Sequence, residues 1–379
     1  MPEIAAHARS IPSSGIRRVF ELAQDVEGAI LLNVGEPVLP VAGHVLAAGA
    51  RAWEADVTHY TANGGIAPLR EAVAAKLARE NGLRVEPERV WVTAGGMQAL
   101  HQAMALTLDA GQEVLVPDPG YANFAMTARH VGAVPVPYAL RAERGFRPDV
   151  ADLEAVTTAR TRVLVVNSPS NPLGTVLGEE DLRALLAFAA RHDLWVISDE
   201  VYERFTYGVP HVSTAALDDD GRVLSVFSFS KTYALTGARV GWLVAPAGWG
   251  EVLRSAQEAV VSCVNAPAQL AALAALEGEQ DVVERAREFY RGNVAAACAL
   301  LEGAGVAHQR PDGAFYLWVD VSHASGGDVA AWTERFLRER RVAVAPGSAF
   351  GARGEGWVRV CAAGGRAELL EGLSRLPVP

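Results

Sequence analysis

The stretch Ser228-Phe229-Ser230-Lys231-Thr232-Tyr233-Ala234-Leu235-Thr236-Gly237-Ala238-Arg239-Val240-Gly241-Trp242 joins two apolar runs. Val223-Leu224-Ser225-Val226-Phe227 precedes it and Val240 to Ala245 ends it, both with the β-branched and aromatic content of buried strands. Lys231 is therefore expected where a strand ends. An ammonium held partly out of water loses proton affinity and becomes a nucleophile towards carbonyls, the property of a Schiff-base lysine. The hydroxyls of Ser228 and Ser230 and the planar fork of Arg239 are donors suited to a phosphate. Lysine and phosphate site together point to pyridoxal 5′-phosphate, which also requires a partner for its pyridine nitrogen.

Outward from this stretch, strands and helices alternate. Strands are expected at Val90 to Thr93, Glu113 to Val116, Val134 to Pro137, Val163 to Val166 and Trp195 to Ser198. A helix is expected over 67–80, and Leu182, Leu185, Leu186 and Ala189 mark one face of another at the spacing for packing on a sheet. Continuous apolar strands between amphipathic helices imply an α/β fold with a mostly parallel sheet covered by helices on both faces. Sites in such sheets lie at the carboxyl ends of strands. The last hundred or so residues read differently: a long helix near 280–302 leading to the apolar run Ala314 to Val319, a helix near 328–340, and short strands at Val342 to Val344 and Trp357 to Val360. We expect a large domain over 46–274 and a smaller α+β domain from 1–45 and 275–379. Residues 2–15 read as an arm, followed by a helix from Ile16 to Ala23 and a short strand from Ile30 to Val34.

Composition bounds the function. At 379 residues the chain exceeds one ordinary core, and a half-hydrophobic, one-fifth charged composition excludes a disordered chain. A net charge of -10 argues against nucleic acid or anionic membrane as partner. Three dispersed cysteines, Cys263, Cys298 and Cys361, form no disulfide framework and fit a reducing cytoplasm, and the amino terminus lacks the pattern of a secretory signal. No histidine pair has metal-ligand spacing, so no metal is expected.

Several strand ends carry chemistry. Gly95-Gly96 at a strand-to-helix turn lets backbone N–H groups and the following helix face an anion. Pro117-Asp118-Pro119-Gly120-Tyr121 places an aromatic ring at the sheet edge, able to cover a flat heterocycle or to sit in the core. Asn167-Ser168-Pro169-Ser170-Asn171-Pro172 ends the next strand, and the proline restricts Asn171 to an extended conformation. Asp199-Glu200-Val201-Tyr202 follows Leu194 to Ser198. A carboxylate on the end of a buried strand must be paired, and a protonated pyridine nitrogen satisfies it.

The ordered set Asn171, Asp199, Tyr202, Ser228, Lys231, Arg239 and Arg359 resembles the fold type I, class I/II pyridoxal-phosphate aminotransferases. The match runs from Gly35-Glu36-Pro37 to Arg359, almost the whole chain. The resemblance implies that Lys231 forms the internal aldimine and then moves a proton from the substrate Cα to the cofactor's C4′ carbon. It also implies that Asp199 keeps the pyridine nitrogen protonated and that Asn171 and Tyr202 bond the ring oxygen. Tyr121 stacks on the ring by the same resemblance. Gly95, Gly96, Met97, Ser228, Ser230 and Arg239 surround the phosphate. Tyr60 reaches that phosphate from a neighbouring subunit, so a homodimer is implied. By the same resemblance, Arg359 is expected to clamp the substrate α-carboxylate, with Gly35 beside it. The substrates implied are an L-amino acid and a 2-oxo acid, with 2-oxoglutarate the usual acceptor and pyridoxamine phosphate left between half-reactions.

The chain departs from its relatives at three places. Cys361 stands where many have serine, Met97 lacks the donor side chain some place at the phosphate, and Ser262-Cys263-Val264-Asn265-Ala266-Pro267 holds no second arginine. A neutral or aromatic donor follows from the last, with Arg17 as an alternative cation for a second carboxylate. A carbon-sulfur β-lyase of similar fold is the rival reading. A non-catalytic pyridoxal-phosphate sensor is another, though the aminotransferase-like pattern begins by residue 35 and leaves no room for an attached DNA-binding domain.

Overall fold

Seven strands form the central sheet of the computed structural model, which describes residues 2–379, in the order Val90–Thr93, Gly241–Val244, Val223–Ser228, Trp195–Asp199, Thr161–Asn167, Glu113–Asp118 and Val134–Ala139. All are mutually parallel except Gly241–Val244, which is antiparallel to both neighbours. Alternation decides what each face buries. Leu164 and Val166 join Leu182, Leu185, Leu186 and Ala189 of the helix Glu179–Arg191. Val163 and Val165 face the other way, towards Ala99, Leu100 and Ala103 of the helix Gly96–Thr107. Helices therefore cover both faces, as the apolar strands required.

The helix Ala67–Glu80 and the strand Val90–Thr93 have the expected bounds, Gly241–Val244 is one residue shorter at each end than its expected run, and the other sheet strands run slightly longer than theirs. A second, antiparallel sheet has the order Ala345–Pro346, Trp357–Cys361, Tyr316–Asp320 and His308–Gln309. Three stretches depart from their apolar pattern here. The apolar run from Ala314 is extended only from Tyr316, because Ala314 has φ of 57° and breaks it. The strand expected over Val342 to Val344 ends at Ala343, and a separate piece, Ala345–Pro346, follows it. Val342–Ala343 pairs in parallel with Ile30–Leu31, while Ala345–Pro346 joins the second sheet. The strand expected from Ile30 to Val34 stops at Leu31, since the carbonyls of Asn33 and Gly35 are committed to arginine and lysine side chains instead. Among the described residues no helix is long and apolar enough to cross a membrane, and no group of acidic, cysteine and histidine side chains is arranged to hold a metal.

Candidate active site

Parallel strands all end on one edge of the sheet, so the residues that follow them converge. Gly95 and Gly96 follow Val90–Thr93, Tyr121 follows Glu113–Asp118, Asn171 follows Thr161–Asn167, Asp199 closes its strand, and Lys231 lies three residues past Ser228. The antiparallel strand begins at that same edge, which brings Arg239 there as well. A cavity of about 380 Å³ opens at this edge, and all the residues singled out from the sequence line it except Gly95 and Tyr60. Gly95 lies just behind it: with φ of 79° it lets the Arg239 guanidinium pack on its backbone, where a Cβ would sit 2.6 Å from Nη2. Tyr60 stands outside the cavity, 93% exposed.

Lys231 Nζ donates to the Gly35 carbonyl at 2.7 Å, and burial pulls its pKa down to about 8. Asp199 is 6% exposed. Burial pushes its carboxyl up to about 7, opposed by the Val201 N–H at 3.2 Å and reinforced by the charge of Glu200. That N–H is the only hydrogen-bond donor its carboxylate has among the described residues. Tyr202 Oη lies 2.7 Å from Tyr316 Oη, and burial with this phenolic neighbour holds Tyr202 well above the ordinary phenol range.

Arg359 sits in the middle of the second sheet, opposite Trp318 and Ala345, and is 2% exposed. It donates to Asn171 Oδ1 at 2.9 Å and to the Asn33 carbonyl at 2.6 Å, over the rings of Tyr316 and Phe350. Its Nε has no partner, and no acidic side chain pairs with it among the described residues. A buried guanidinium without an anion is suited to a carboxylate ligand.

Sequence reading passed over Tyr316, Asn167, Asn123, Ile16 and Phe20 as site residues. Asn167 had a signal, being a strand-end amide. Its Nδ2 donates to the Asp199 carbonyl at 3.0 Å, and its Oδ1 accepts from the Asn171 N–H at 2.9 Å. Asn123 lies two residues past Tyr121 and donates to Met97 Sδ at 3.2 Å. Ile16 and Phe20 had only the periodicity of an amphipathic helix. They line the cavity beside Arg17, whose guanidinium lies 5.6 Å from the Phe20 ring centroid. Cys361 is buried opposite Tyr316, with its thiol pushed up by burial, as a small core residue would be.

These groups fit pyridoxal 5′-phosphate. Asp199 is a buried carboxylate lacking a cationic hydrogen-bond donor, which a pyridinium N–H supplies. The amino end of the helix Gly96–Thr107, Ser228 and Arg239 form a donor set for a phosphate. The Ser228 hydroxyl oxygen already accepts from the Ser230 N–H at 3.1 Å, leaving its own hydrogen to donate. Fold and edge together define the class: the fold type I enzymes that use pyridoxal 5′-phosphate.

Comparison narrows the class. The family described as "Aminotransferase class I and II" matches residues 27–376. Aromatic-amino-acid aminotransferase 2 of Thermococcus litoralis is 37% identical over 368 residues, 96% of this chain and 94% of its own. The aspartate/prephenate aminotransferase of Thermus thermophilus is 37% identical over 94% of this chain and 92% of its own. The solved Thermus thermophilus aspartate aminotransferase with maleate superposes with a TM-score of 0.93 at 35% identity, covering 99% of each chain. The chain belongs to the class I and II aminotransferases and is an enzyme of transamination, dependent on pyridoxal 5′-phosphate.

Proposed function

We propose that the edge residues divide the work of transferring the α-amino group of an L-amino acid to a 2-oxo acid. Arg359 binds the α-carboxylate of each substrate in turn, with Asn171 and the Gly35 backbone fixing its orientation. Its burial without an acidic partner is the observation that carries this reading. When bound, pyridoxal 5′-phosphate supplies an electron-withdrawing pyridinium that takes up the electron pair left at the substrate Cα. Asp199 holds the proton on the pyridine nitrogen, Tyr202 and Asn171 face the ring oxygen, and Tyr121 covers the ring. Gly95, Gly96, Met97, Ser228, Ser230 and Arg239 hold the phosphate. Lys231 anchors the cofactor and, once free, removes the Cα proton; an amine with a pKa of about 8 is near the ideal for a base working close to neutrality. Lys231→Ala is expected to abolish turnover and the absorbance of lysine-bound cofactor while the protein still folds. A variant transaminating at the wild-type rate overturns the assignment.

The substrate side chain meets Ile16, Phe20, Met97 and Leu100, an apolar wall suited to neutral and aromatic donors. Arg17 is the one cation on that wall, and we assign it the second carboxylate of a dicarboxylic acceptor such as 2-oxoglutarate. The relatives' names include both aromatic-amino-acid and aspartate aminotransferases, which supports a site accepting both kinds. Arg17→Ala is expected to raise the KM for 2-oxoglutarate by roughly twofold to fivefold, the size of one exposed ion pair, and to leave that for aromatic donors nearly unchanged. Equal effects on both would remove Arg17 from this role.

The division into domains over 46–274 and over 1–45 with 275–379 is part of the same proposal, with limited proteolysis as its check. So is a homodimer in a reducing cytoplasm, supported by the exposed Tyr60 and by Cys263, Cys298 and Cys361, all free thiols.

A further inference from the structure

The segment Asp199 to Glu203 has two sides. Asp199 and Tyr202 line the cavity, whereas Glu200 and Glu203 point away from it into a buried polar network. Glu200, 1% exposed, has both oxygens engaged. Oε1 accepts from Ser198 Oγ at 2.9 Å and the Thr214 N–H at 3.3 Å. Oε2 accepts from Ser213 Oγ and meets His211 Nε2 at 2.9 Å. Ser213 Oγ accepts from Asn81 Nδ2 at 2.8 Å, and that same amide donates to Glu203. Glu203 is paired with Lys76, an ammonium only 2% exposed, which also donates to Asn81 Oδ1 at 2.7 Å. One continuous chain of bonds thus runs from the helix Ala67–Glu80 to the residue next to Asp199.

For stability alone this arrangement is a poor choice, because buried ion pairs seldom outperform apolar residues of similar volume. It also sets a second carboxylate beside Asp199, where its charge favours a protonated or cation-paired Asp199. A cofactor that presents a cationic N–H to Asp199 turns that penalty into an attraction. We infer that Glu200 and Glu203 are positioning residues, which hold the turn bearing Asp199 and Tyr202 against the cofactor and add Glu200's charge behind the Asp199 pair. The inference rests on the cofactor reading above. It also separates two functions: the network reaches the cofactor through Asp199 and Tyr202, whereas the substrate carboxylate is held by Arg359 from another sheet.

The test compares holoenzymes of wild type, Glu200→Gln and His211→Gln, measuring kcat, KM for the amino acid, the dissociation constant of pyridoxal phosphate from each apoenzyme, and melting temperature. Glu200→Gln is expected to lower kcat and cofactor affinity by roughly tenfold to a hundredfold, the range produced by losing a supporting partner behind a metal ligand, with KM changed less than about threefold. His211→Gln, at the less buried end, keeps a donor to Glu200 and should move the same two quantities in the same direction by less. Folded Glu200→Gln with wild-type kcat and cofactor affinity overturns the inference, as does a KM that rises in step with the loss of kcat. If Glu200→Gln does not fold, His211→Gln decides: unchanged cofactor affinity and kcat overturn the inference, and a paired decrease at unchanged melting temperature upholds it. A wild-type protein that fails to bind pyridoxal phosphate sinks the parent reading instead, before any variant is compared.

Discussion

At the scale of single residues, the cleft is built from groups moved off their ordinary pKa by burial. Lys231 is lowered to about 8 and Asp199 raised to about 7, so the two approach each other near neutral pH. The sign for Lys231 is plain: burial disfavours the ammonium, so the neutral amine appears at lower pH than in an exposed lysine. Reconstitution of apoenzyme with pyridoxal phosphate, followed by absorbance, is expected to accelerate as pH rises through about 8 and then level off. A rate that keeps rising to the ordinary lysine range, above 10, contradicts the desolvated amine. Lys231 and Asp199 were legible in the sequence because a charged side chain at the end of an apolar strand demands a partner, and Arg359 through the family resemblance. Tyr316 was not, since its hydroxyl meets that of Tyr202, 114 residues away in sequence, only once the chain has folded. Lys76 was equally hidden: on an amphipathic helix a lysine reads as solvated, and only the tertiary position of Glu203 explains its burial.

At the scale of elements, apolar runs and turn residues located the parallel strands, and strand direction then assembled the site. Local pattern did not reveal that Gly241–Val244 runs the other way, because side-chain alternation is the same in either direction. That reversal is what delivers Arg239 to the edge, against Gly95. The glycine is needed on two counts, its φ of 79° and the 2.6 Å that would separate a Cβ from Arg239 Nη2. Gly95→Ala should therefore displace the guanidinium and weaken pyridoxal phosphate binding by about tenfold or more, since backbone strain of this kind is worth about 1–3 kcal/mol. Equilibrium titration of the apoenzyme checks this, and an unchanged dissociation constant would show that Arg239 does not depend on the close approach.

At the scale of the molecule, one face remains unexplained by a single chain. Trp53, Val57, Tyr60, Val260 and Val261 are all exposed, and the segment around Tyr60 is tied to the region of Val260. Thr61 N–H donates to Cys263 Sγ at 3.4 Å, and Asn63 Nδ2 donates to the Arg254 carbonyl at 3.3 Å. Large exposed apolar side chains of this kind suit an interface, and in the homodimer proposed above a second copy of the chain covers them and gives Tyr60 a task. A mixing experiment separates this from an effect within one chain. Lys231→Ala subunits lack the essential amine but keep Tyr60; Tyr60→Ala subunits keep the amine but lack the phenol. In a hybrid dimer, the site retaining Lys231 receives Tyr60 from its neighbour and is complete, while the other site lacks both. Random re-pairing of equal amounts makes half the dimers hybrid, each with one complete site, so activity should return to about a quarter of the wild-type level. A mixture no more active than the average of its two parents would place Tyr60 outside the neighbour's site.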